Sequence, residues 1–110
     1  MLPLPQPSSN KKNYFSKLAL WAESNDIYPV VTKLGSELWG YVFKSSYGSY
    51  LIAINKNISR ELQEEVLLHE VKHILNDAPA QDYIVGFNMQ HSVMEKEADD
   101  FAFGLMSMIR

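Results

Sequence analysis

The chain has 110 residues, ten basic and thirteen acidic side chains, a formal net charge of -3 and no cysteine. That length holds one domain, residues 1–110, with a single core. The lack of thiols excludes disulfides and thiolate metal sites, and without a basic run or stripe a direct nucleic-acid role lacks its electrostatic footing. The sequence shows neither a signal-type leader nor the roughly 18 apolar residues of a membrane span, so the expectation is a soluble cytoplasmic protein whose partner is another protein or peptide.

Prolines at 3, 5 and 7 favour an extended arm over residues 1–9. Ser8 or Ser9 can cap a helix reaching about residue 25, with Tyr14, Leu18 and Trp21 on one apolar face. Three short β segments follow, at 27–32, 39–44 and 50–54. Pro29 places the first at a sheet edge, and Ser45-Ser46-Tyr47-Gly48 joins the other two as a hairpin. Ser59 caps a helix over 60–76, residues 77–91 read as a loop, and Ser92 caps a last helix running close to Arg110.

The helix over 60–76 carries His69-Glu70-Val71-Lys72-His73, the His-Glu-x-x-His pattern of zinc-dependent hydrolases. At about 100° per residue the two histidines fall one turn apart on one face and can grip a single ion. Glu70 stands beside that ion, where a general base takes a proton from water that the metal has acidified. Glu61, Glu65, Lys72 and Asn76 form one narrow polar stripe, while apolar residues cover most of the remaining surface, so the helix is expected to be largely buried.

A catalytic zinc needs a third protein ligand and an open position, and the choices are His91 or a carboxylate. On the wheel of the last helix, Glu95 lies inside the apolar arc formed by Met94, Ala98, Phe101, Ala102, Leu105, Met106 and Ile109, with Asp99 at its edge. A carboxylate on a buried face is costly unless it is paired or ligates an ion, which makes Glu95 the natural third ligand. Its ordinary alternative is a capping box, Ser92-Val93-Met94-Glu95. Asp99 can accept a hydrogen bond from the outer nitrogen of a ligating histidine, or stand as a solvated surface charge. His91 or Tyr83 can serve the developing oxyanion or the leaving amine.

These motifs resemble those of the ImmA/IrrE family of zinc metallopeptidases from about residue 14 onward. The likeness rests above all on Leu67-Leu68-His69-Glu70-Val71-Lys72-His73 paired with Glu95-Lys96-Glu97-Ala98-Asp99-Asp100-Phe101-Ala102. The resemblance implies zinc ligation by His69, His73 and Glu95, with Glu70 as base. It also implies an α+β fold: a small twisted sheet of about three strands packed with helices, and a zincin-like active-site helix followed by a C-terminal ligand-bearing helix. The function implied is hydrolysis of a protein, with a helix-turn-helix repressor of a phage or integrated element as the expected substrate. Two rival expectations are a zinc-stabilised antirepressor that binds without cutting, and a toxin or effector of a paired system.

Overall fold

A computed structural model describes residues 3–6 and 13–93. Its elements in chain order are α1 (Tyr14–Glu23), β1 (Ile27–Thr32), β2 (Gly40–Lys44), β3 (Tyr50–Asn55), α2 (Arg60–Asp77), β4 (Tyr83–Val85) and β5 (His91–Val93), with a short 3-10 turn at Phe87–Met89 between the last two. The five strands form one mixed sheet in the order β1-β3-β2-β4-β5. β1 runs parallel to β3, and every other neighbouring pair is antiparallel. The fold is α+β.

Side-chain alternation along the strands divides the core in two. Tyr50, Ile52 and Ile54 of β3, with Val42, Tyr83 and Val85, pack beneath Leu18 and Trp21 of α1 and Val66, Leu67 and Val71 of α2. The intervening residues Leu51 and Ala53 join Tyr41, Phe43 and Leu34 in a second cluster on the opposite face. Every residue of β3 is buried, as suits a strand flanked on both edges and covered on both faces. Leu4 also packs against the helix-side cluster, and Tyr14 donates a hydrogen bond to the Pro5 carbonyl at 3.3 Å.

Local chemistry explains the boundaries. The Ser59 hydroxyl accepts from the Leu62 amide at 3.1 Å and starts α2. Ala78 adopts a left-handed conformation (φ 42°), returns its amide to the Ile74 carbonyl and precedes Pro79, so the helix stops at Asp77. Between β2 and β3, Gly48 supplies the left-handed position (φ 87°) while the Ser45 hydroxyl accepts from the amides of Tyr47 and Ser49. Gly40 lies so close to β3 that a Cβ there would stand 2.7 Å from the Ala53 carbonyl oxygen.

Two expectations need correction. The sheet has five strands, not about three, because the stretch expected to be a loop contains β4, and Ser92 lies inside β5 rather than capping a helix. β4 and β5 are three residues each, too short for alternation to register in a sequence. They are paired by a turn whose Asn88 and Met89 are both left-handed without being glycine. Ser8 and Ser9, and all of the last helix's proposed body from Met94 onward, lie outside the described residues. No helix among the described residues is long and apolar enough to cross a membrane.

Candidate metal centre

The buried face of α2 is Gln63, Val66, Leu67, Glu70, Val71 and Ile74, a spacing that lays one stripe against the sheet. Glu70 sits in the middle of that stripe with 0% exposure. A carboxylate in such a place is tolerated only when hydrogen-bonded. Tyr83 of β4 donates to its Oε1 at 2.6 Å, and His91 of β5 brings Nε2 to 3.0 Å from its Oε2. The hairpin pairing Val85 with His91 and Tyr83 with Val93 sets these two side chains on one face, with their rings 4.3 Å apart.

The motif histidines flank this buried carboxylate. His69 is half exposed, with Nε2 4.0 Å from Glu70 Oε2. His73 turns Nδ1 to Asp77 Oδ2 at 2.8 Å, and its ring centroid lies 4.9 Å from that of His91 and 5.4 Å from that of Tyr83. The centroids of His69 and His91 are 6.0 Å apart. Two imidazoles and one phenol therefore meet at a single carboxylate, with the His73 ring packed behind them.

Whether such a group suits a metal is a question of spacing. Two imidazoles bound to one tetrahedral zinc at a Zn–N distance of about 2.1 Å place their ring centroids roughly 5 Å apart. His91 stands at 4.9 Å from His73, near that value, and at 6.0 Å from His69, somewhat beyond it. The ligating atoms of His69, Glu70 and His91 all lie within 4.8 Å of one another, a group able to hold a metal ion. Imidazole and carboxylate donors without thiolate suit zinc and other first-row divalent metals alike.

Tyr83 is held well above the ordinary tyrosine pKa, first by burial, then by its hydrogen bond to Glu70 and the charge on that carboxylate. It stays a proton donor at every physiological pH. An open cleft of about 550 Å³ lies beside the group, lined by His73, Tyr83, His91, Ser92 and the segment from Pro79 to Asp82.

Of the residues singled out from sequence, the fold brings the ligating atoms of His69, Glu70 and His91 together and sets Tyr83 on Glu70, while His73 packs against Tyr83 and His91 without joining that group, and Glu95 and Asp99 lie outside the described residues. His91 and Tyr83, expected to compete for one auxiliary role, instead meet on the same carboxylate. Sequence reasoning missed the partnership of Asp77 with His73. Their four-residue spacing is a usable signal only once the helix is known to reach residue 77. No family model, curated protein or solved structure matches the chain.

Proposed function

We propose that the protein is a zinc-dependent metallopeptidase of the ImmA/IrrE type, acting in the cytoplasm on a protein substrate, with a helix-turn-helix repressor of a phage or mobile element as the favoured target. One observation carries the reading: Glu70 of the His-Glu-x-x-His helix is fully buried yet held by Tyr83 and His91 with His69 beside it, and Tyr83 and His91 also line an open cleft. In this reading His69 and His73 hold the ion, with Glu95 as third ligand and His91 as its rival for that place.

Zinc bound there supplies a Lewis acid for the scissile carbonyl and lowers the pKa of water. Glu70 accepts the water's proton and delivers it to the leaving amine. Tyr83, kept protonated by its surroundings, donates its one hydroxyl hydrogen to the Glu70 carboxylate and orients it. Among the described residues no strand pairs with the outer edge of β5, beside His91, and an extended peptide could pair there.

A second reading, a zinc-clamped antirepressor that binds without cutting, is favoured by one feature: both Glu70 oxygens are already engaged, which suits a structural carboxylate. The test separates the two. Wild type and Glu70→Gln, both zinc-loaded, are incubated with a helix-turn-helix repressor encoded beside the gene, and repressor mass and operator binding are followed together. Cleavage by wild type alone is the expected result. Release of operator by both variants with the repressor intact would replace the peptidase by the antirepressor.

A further inference from the structure

We propose that Asp77 is the positioning residue of His73: by accepting the Nδ1 proton, its carboxylate fixes the tautomer in which Nε2 presents a lone pair to the metal. The inference rests on the zinc reading above and adds a residue to it. An aspartate carboxylate is acceptor-only, so at 2.8 Å from Asp77 Oδ2 the Nδ1 atom of His73 must carry hydrogen. In the neutral imidazole that leaves Nε2 bare, which is the form a metal requires.

A second, independent feature points the same way. Asp77 is the last residue of α2, a helix with no basic residue in its final turn. Carboxylates are disfavoured at a helix C-terminus because the unpaired carbonyls there carry partial negative charge. Asp77 is therefore badly placed for helix stability and well placed for His73, one turn before it. The left-handed Ala78 and Pro79 stop the helix immediately after Asp77, which keeps its carboxylate in register with the histidine. With 63% of its side chain exposed, the aspartate has little to contribute to the core.

The experiment is a zinc titration of the metal-free full chain against a chromophoric chelator, for wild type, Asp77→Ala, Asp77→Asn and His73→Ala, with the melting temperature of each metal-free protein alongside. Loss of a carboxylate that orients a ligating histidine weakens metal binding by about ten- to hundredfold, and Asp77→Ala should fall in that range. Asp77→Asn, whose amide oxygen still accepts from Nδ1, should recover most of the loss. Melting of the metal-free proteins should be nearly unchanged by either Asp77 substitution, because an exposed pair on one helix contributes little.

Zinc affinity of Asp77→Ala within twofold of wild type would overturn the inference and leave the metal site standing. So would parallel losses in zinc affinity and metal-free stability in both Asp77 variants, which mark a structural role. Wild type that binds no zinc, or His73→Ala that binds it undiminished, removes the ligand role of His73 and the positioning role with it.

Discussion

Replacing Tyr83 by Phe deletes one hydroxyl and, with it, the 2.6 Å hydrogen bond to a carboxylate that has 0% exposure. A hydrogen bond to a charged group contributes about 1.5–3 kcal/mol, and its neutral counterpart about 0.5–1.5 kcal/mol. In the metal-free protein Tyr83→Phe should therefore cost about 2 kcal/mol. For a domain of this size that lowers the melting midpoint by roughly 10 °C, at about 5 °C per kcal/mol. In a Glu70→Gln background the same substitution removes only a neutral bond and should cost about 1 kcal/mol. The double-mutant cycle should then give a coupling near 1 kcal/mol, read from urea denaturation in the presence of chelator at constant m-value. Additivity within about 0.3 kcal/mol would refute the claim that Tyr83 serves the charged form of Glu70.

Three further outcomes follow from the packing. Asn55, 1% exposed, accepts from the amides of Leu34 and Asn57 and donates to the carbonyls of Gly35 and Leu38; Asn55→Ala should cost about 3 kcal/mol in denaturant titration by leaving several of these groups unpaired. Gly40→Ala forces a Cβ to 2.7 Å from the Ala53 carbonyl, and a drop of about 1–3 kcal/mol should appear in the same assay. Tyr14, Tyr50 and Tyr83 have pKa values raised above 10.0, chiefly by burial. Above that pH the unfolded chain releases phenolic protons that the fold retains, so stability should fall as pH rises past about 10. Tyrosinate absorbance of the folded protein should lag behind that of the denatured chain.

The motif helix was legible from its serine cap, confirmed by the Leu62 amide, but its burial was not: expected to be largely buried, it covers only one stripe, which takes in Gln63 and Glu70 and leaves Leu75 exposed. The spans of β1, β2 and β3 were similarly open to reading, since runs such as Tyr50–Asn55 are rich in β-branched and aromatic residues and bounded by turn formers. β4 and β5 were not. Three residues carry no period, and the turn between them uses left-handed Asn88 and Met89 without the glycine that marks such positions. That omission had a consequence for the site, because Tyr83 and His91 reach Glu70 only through the hairpin that those strands form. Wheel reasoning also set Glu70 beside the metal without showing that its carboxylate is wholly enclosed, which depends on the sheet opposite. Asp77 was lost to a helix boundary drawn one residue short.

The central claim is that His69 and His73 hold one zinc beside Glu70, and elemental analysis of protein purified without added metal tests it most directly. Wild type should carry one zinc per chain, as should Glu70→Gln, while His69→Ala and His73→Ala should each lose it. Comparison of Glu95→Ala with His91→Ala names the third ligand by which of the two loses the metal. Wild type devoid of zinc after such a purification and unable to take it up on addition, or full occupancy in both single-histidine variants, would contradict the account.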